Sequence, residues 1–244
     1  MRKLYRENEI FFSVVWIVIY LAGTGLAEAL SEITGAFKLF PAFFHAGLAV
    51  FLLLWLKQNG LYEKYGLFLP EYRLSRALFF LPLIAVGSYK LYFSPTIRYS
   101  AAGTLFFVIS MTCVGFLEEV IFRGFLFRAV EKKSLRRAVY ISAFTFAIGH
   151  LINLFSGQSL FDTCLQIAFA AAAGFTLVIL FHKGRSLIPG IVFHSVFNSL
   201  SAVANDEAMF RILGGKVSAS LLLLGAGTIL LGGYSLWNLK YLKT

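Results

Sequence analysis

Charge is scarce in this chain. Asp, Glu, Lys and Arg make up 14% of its 244 residues, where a soluble domain carries about 25%. Proline is held to 5 residues and cysteine to 2. Cys113 and Cys164 both lie in apolar stretches without metal-ligand spacing, which excludes a disulfide scaffold and suggests two buried small side chains. No Gly/Ser-rich linker or internal repeat divides the chain, so residues 1–244 are expected to form a single membrane domain. What is abundant is hydrocarbon: 59% of residues are hydrophobic, 27 are Phe, and mean hydropathy is +0.78. A water-facing surface cannot be built from this composition, which excludes an ordinary cytosolic enzyme and a disordered chain. It implies an all-α, polytopic transmembrane bundle.

A helix needs about 20 apolar residues to cross the hydrocarbon layer. On that basis eight spans are expected: Ile10–Ala29, Leu39–Leu56, Ala77–Phe93, Ala101–Phe127, Ala138–Phe155, Thr163–Phe181, Leu187–Ala204 and Val217–Leu239. Pro82 and Lys90 make the third the weakest. The first exceeds the 7–15 apolar residues of a signal peptide core and is expected to be retained. Net charge is +10, but its placement argues against nucleic acid. Sixteen of the 22 Lys and Arg residues fall at the two termini and the second, fourth and sixth loops. Lys38, Arg98, Arg211 and Lys216 lie on the other side, and Lys90 and Arg123 lie inside spans. This asymmetry implies that both termini are cytoplasmic, in a cell (plasma) membrane protein.

Ionisable groups inside a span are costly, so each requires a reason. Glu118, Glu119 and Arg123 fall in the fourth span, His150 in the fifth, and His194 and Asn198 in the seventh. Glu119 and Arg123 are four apart, the spacing of a carboxylate–guanidinium pair on one helix face. Glu118 points about 100° away on a 3.6-residue helix. Counted from the nearest basic residue at the membrane edge, Glu118, His150, His194 and Asn198 lie about 13–20 Å deep at the rise of an α-helix. Four groups on three helices therefore share one slab. His45, without such company, reads as packing or pore lining, His182 as solvated, and Glu28 and Glu32 as wet. The run Ala170–Gly174 reads as close helix packing.

A carboxylate withdrawn from water is suited to act as a general base, and an imidazole can share that work. A further imidazole and an amide can donate to a developing oxyanion. No covalent nucleophile is apparent: Ser195 points to a different face from His194, and Cys113 is more than a turn from Glu118. Amide hydrolysis by activated water is the natural chemistry, reached from the cytoplasmic half or laterally from lipid.

Taken in order, Glu118-Glu119-x-x-x-Arg123, Phe146-x-x-x-His150 and His194-x-x-x-Asn198 resemble the three motifs of the CPBP family. This family comprises type II CAAX prenyl endopeptidases, Abi-type proteins, and bacteriocin-processing and self-immunity proteases. The resemblance covers roughly residues 101–204, the expected catalytic core. It implies an eight-helix intramembrane protease of the glutamic type. In that reading Glu118 and His150 activate water, His194 and Asn198 form the oxyanion hole, and Glu119 and Arg123 support them. The family was long described as metalloproteases, so zinc held by Glu118, His150 and His194 is the alternative to a metal-free site. The absence of an HExxH motif and the presence of Asn198 favour metal-free chemistry. Expected partners are a membrane-associated protein or peptide, which can be lipidated, and the bilayer, with no nucleic acid. The rival functions are a proton-coupled transporter, which would be expected to show repeated halves, and a catalytically idle scaffold or immunity protein.

Overall fold

The structure, a computed structural model, describes residues 1–69 and 80–241. All secondary structure among the described residues is helical. A short helix α1 (Arg2–Glu7) leads into α2 (Glu9–Thr34), whose first turn is capped by Asn8 Oδ1 accepting from Phe11 N at 2.9 Å. Next come α3 (Leu39–Gln58), α4 (Leu81–Gly87) and α5, a continuous helix over Ala101–Glu131. Helix α6 (Leu135–Gly149) runs on as a 3₁₀ segment, His150–Ser156. Then follow α7 (Leu160–Gly184), α8 (Ile188–Ser199) with a 3₁₀ extension over Leu200–Val203, α9 (Asp206–Ile212) and α10 (Lys216–Tyr241).

Six of these helical stretches are long and apolar enough to cross a membrane: Glu9–Thr34, Leu39–Gln58, Ala101–Glu131, Leu135–Ser156, Leu160–Gly184 and Lys216–Asn238. They correspond to six of the eight expected spans, most of them a few residues longer at the ends. The seventh expected span is a shorter apolar helix, Ile188–Val203. The third departs from expectation. Residues 77–79 of it lie outside the described residues, and the remainder is broken into α4 and a 3₁₀ turn, Tyr89–Tyr92. Within it, Lys90 Nζ donates to the Phe197 carbonyl at 2.9 Å and to Ser201 Oγ. An ammonium beside apolar helices needs acceptors, and these contacts tie the broken segment to α8 and its 3₁₀ extension. The outward surface is apolar, with Leu26, Phe43, Leu222 and Ile229 exposed, as suits an integral membrane protein surrounded by lipid tails.

Helix α5 is the central element, packed against α2, α3, α6 and α8. At the end near Arg128 its Phe125 ring packs within 5.1 Å of both Phe12 and Tyr65, and Phe12 stacks on Trp55 at 5.2 Å. The Ala170–Gly174 run performs the close packing expected of it: a Cβ on Gly174 would stand 3.2 Å from the Ala143 backbone of α6. The cysteines do not match their expectation. Cys113 is half-buried and Cys164 is exposed, because position 164 falls on the outer face of α7. His182 is also not simply solvated, since its Nδ1 lies 2.7 Å from Glu131 Oε1.

The hydrogen-bond pitch of α5 changes along its length. It is α-helical to Glu118, widens to a π-helix over Glu119–Phe127, and returns to α at Arg128. π-Helical segments are rare and concentrate at functional sites. Ser142 Oγ of α6 donates to the Phe122 carbonyl inside this segment at 2.8 Å, tying α6 to the widened turn.

Just before that transition, Gly115 lets α8 approach. A Cβ there would lie 2.4–2.8 Å from Ser195 Oγ, N and Cα, two of which are backbone atoms that cannot swing aside. Gly115→Ala is therefore expected to force α5 and α8 apart, costing about 1–3 kcal/mol by the usual scale of overpacking. Thermal unfolding in detergent checks this, and a variant as stable as the parent would refute the tight α5–α8 seam.

Candidate active site

Glu118 is the last α-helical residue of α5 and Glu119 the first residue of its π segment. Both are buried. Glu119 meets Arg123, as the sequence spacing suggested: Arg123 Nη1 is 3.1 Å from Glu119 Oε1, and the guanidinium is wholly inaccessible to solvent. The contact is electrostatic, without hydrogen-bond alignment. The guanidinium also lies over the Phe146 ring, 4.1 Å from its centroid, a second favourable interaction for a desolvated cation.

His194, on α8, lies between the two carboxylates. Its Nδ1 hydrogen bonds Glu119 Oε1 at 3.1 Å, and its Nε2 is 3.2 Å from Glu118 Oε2. The sequence spacing did not indicate this bridge, because it is made between helices 75 residues apart. A carboxylate can only accept, and a neutral imidazole has a single N–H. The Nδ1 contact is therefore a hydrogen bond donated to Glu119, while the Nε2–Glu118 approach is one of distance without hydrogen-bond alignment. Gly190 permits the approach on the α8 side, since a Cβ there would press to 3.0 Å of Glu119 Oε2.

His150 begins the 3₁₀ segment after α6. Its Nδ1 is 3.2 Å from the Phe146 carbonyl, which can only accept, so Nδ1 carries the proton and Nε2 presents a lone pair. The Phe146 ring stands edge-on to both imidazoles, with centroids 5.1 Å from His150 and 5.6 Å from His194. This residue, at the first position of its motif, thus braces Arg123 and both histidines. Asn198 lies one turn beyond His194 on α8. It is half-buried and makes no side-chain hydrogen bond within the described residues. Ser195 turns away, as expected, and donates to the Thr112 carbonyl at 2.9 Å.

One member of the cluster lies outside every motif. Tyr20 of α2 donates from its hydroxyl to Glu118 Oε1 at 2.8 Å, in a buried contact. Nothing in the local sequence distinguishes Tyr20 from the other aromatic residues of an apolar helix; only the packing of α2 on the π segment reveals it. His45 is packing, as read, but with partners: Thr24 Oγ1 and Ser110 Oγ each lie 2.9 Å from a ring nitrogen.

Both histidines have Nδ1 held by a carboxylate or carbonyl, the pattern that steadies a metal-bound imidazole. Even so, no group of three or more His, Cys, Asp or Glu side chains among the described residues is placed to hold a metal ion.

Residues 100–200 match the family profile described as type II CAAX prenyl endopeptidase Rce1-like. The matched segment contains Glu118, Glu119, Arg123, His150, His194 and Asn198, so the resemblance read from the three motifs is borne out there. Comparison with curated proteins and with solved structures gave no match.

The two glutamates should respond differently to substitution. Glu119→Gln leaves an inaccessible guanidinium without its counter-charge, and breaking a buried pair typically costs about 3–5 kcal/mol. Glu118→Gln keeps an acceptor for Tyr20 and leaves the Glu119–Arg123 pair in place, so its stability should stay within about 1 kcal/mol of the parent, the net worth of an ordinary hydrogen bond. Thermal melts of the two purified variants compare them, and equal destabilisation would show that Arg123 does not depend on Glu119.

Proposed function

We propose that the chain is an intramembrane endopeptidase that hydrolyses a peptide bond in a membrane-associated protein or peptide, using water activated by Glu118 and His150. The family match supports a protease of the CAAX type. The observation that carries the finer reading is the buried Glu118 carboxylate, held between Tyr20 and His194 within an apolar bundle.

In this reading the water oxygen attacks the peptide carbonyl carbon while its proton passes to Glu118. The Nε2 lone pair of His150 holds the water in line. The carbonyl electrons move onto oxygen, where the Asn198 amide and the His194 imidazole donate to the oxyanion. Collapse breaks the C–N bond, and the proton that Glu118 took from water passes to the departing amine. Glu119 and Arg123 hold His194 in place, and Tyr20 fixes the orientation of Glu118. No step needs a covalent intermediate or a bound metal.

Cleavage of a panel of lipid-anchored quenched peptides, prenylated and unprenylated, tests the proposal. Glu118→Gln should abolish cleavage in folded protein. Asn198→Ala should lower kcat by about 10²–10³, the usual cost of losing an oxyanion donor, with KM little changed. Activity should survive exhaustive chelation. Stoichiometric zinc in the purified protein, with activity lost on its removal and restored on its return, would replace the metal-free mechanism with the zinc alternative.

A further inference from the structure

Access to the buried cluster is the feature the motifs leave unassigned. Toward the Arg128 end, Phe122, Phe125, Phe127, Tyr65 and Phe181 are each at most 2% exposed. They close the bundle between Glu119 and the basic loop. At the opposite end lies a cavity of about 530 Å³, lined by Thr24, Glu28, Glu32, Asn153, Ser156 and Gln158 among others. Its walls continue the two faces that carry the site. On α2, Tyr20, Thr24 and Glu28 recur every four residues, so the stripe that begins at the Glu118 partner rises into the cavity. In a 3₁₀ helix residues three apart are eclipsed, so His150, Asn153 and Ser156 form one face of the segment that follows α6. The two walls meet closely, since a Cβ on Gly25 would stand 3.6 Å from Ile152 Cδ1.

We propose that this cavity binds the hydrophilic, extended stretch of substrate beside the scissile bond, and that substrate and water arrive from the end of the bundle opposite Arg128 and Arg137. This rests on the hydrolase reading above and departs from the expected approach through the cytoplasmic half. The volume falls within the range of ligand pockets, about 300–1,000 Å³. Thr24 Oγ1 is engaged by His45, and one N–H each of Asn153 and Gln158 is given to Gln166 Oε1. The Ser156 hydroxyl, the second amide N–H groups and the amide oxygens remain as donors and acceptors, which suits backbone amides. Glu28 is neutralised by Lys38, while Glu32 pairs with no cation among the described residues. The lining therefore favours a neutral or basic stretch over an acidic one.

The test is tethered blocking in full-length protein carrying Cys113→Ala and Cys164→Ala. Ser156→Cys places a thiol in the cavity wall, and Lys133→Cys places one on the exposed loop at the far end. Each is treated with a bulky membrane-impermeant maleimide in sealed vesicles and again after permeabilisation. Turnover of the lipid-anchored peptides is measured before and after labelling. The two thiols should react from opposite faces. Labelling Ser156→Cys should lower turnover at least about tenfold, as expected when a bound geometry is obstructed, whereas labelling Lys133→Cys should leave it within about twofold. Unimpaired cleavage by fully labelled Ser156→Cys would overturn the proposal, as would reaction of both thiols from the same face. A chain that cleaves no peptide before labelling fails the hydrolase reading instead, and the sidedness of Ser156→Cys still decides where the cavity opens.

Discussion

Arg123 carries a full positive charge with none of its surface in contact with solvent, and much of the bundle is arranged around that charge. Withdrawing a guanidinium from water costs several kcal/mol even after relaxation, so it cannot be left to an apolar neighbourhood. Glu119 supplies the counter-charge and Phe146 the aromatic face. The requirement then spreads outward. The Glu119 oxygen nearest Arg123 also takes His194, which brings in α8; His194 faces Glu118, and Glu118 accepts from Tyr20 of α2. A chain of charge-assisted contacts starting from one arginine thus links α5, α8 and α2, with Phe146 of α6 packed against its centre.

The site was legible in the sequence to the extent that it is written as ionisable residues in places where hydrocarbon should be. Glu118, Glu119, Arg123, His150 and His194 stood out because each is costly in a span, and helical spacing alone assigned Glu119 to Arg123. Contacts between distant helices were not legible. The His194 bridge joins residues 75 positions apart and the Tyr20 contact joins residues 98 apart, and no local periodicity encodes either. Tyr20 was invisible for a further reason, since a tyrosine among Phe, Trp and Ile is unremarkable until its hydroxyl has a partner. The bundle was legible through hydropathy, which marks length and apolarity. Hydropathy did not register that the segment around Lys90 is broken, with the ammonium bonded to the Phe197 carbonyl, nor that the apolar run around Cys164 turns that residue outward.

Hydrogen-bond pitch explains why the three motifs lie where they do. Glu118 and Glu119 straddle the change from α to π in α5. His150 is the first 3₁₀ residue after α6, and Asn198 is two residues before α8 tightens to 3₁₀ at Leu200. A regular α-helix satisfies its own backbone and presents side chains at fixed 3.6-residue intervals, which leaves little scope for three helices to aim polar groups at one point. Changing the pitch re-aims side chains at the junction, and backbone groups displaced there can find partners among neighbouring side chains. Ser142 supplies one such partner for the Phe122 carbonyl, and the His150 ring meets another in the Phe146 carbonyl. Irregular backbone at membrane depth is tolerated only where it is buried in protein or lines a cavity. Both conditions occur here: the π segment is fully enclosed in the core, and the 3₁₀ segment after His150 forms a wall of the polar cavity. The departures from ideal helix that bring carboxylate, imidazole and amide together are thus tolerated in the bundle because one is enclosed by packed side chains and the other borders a polar cavity.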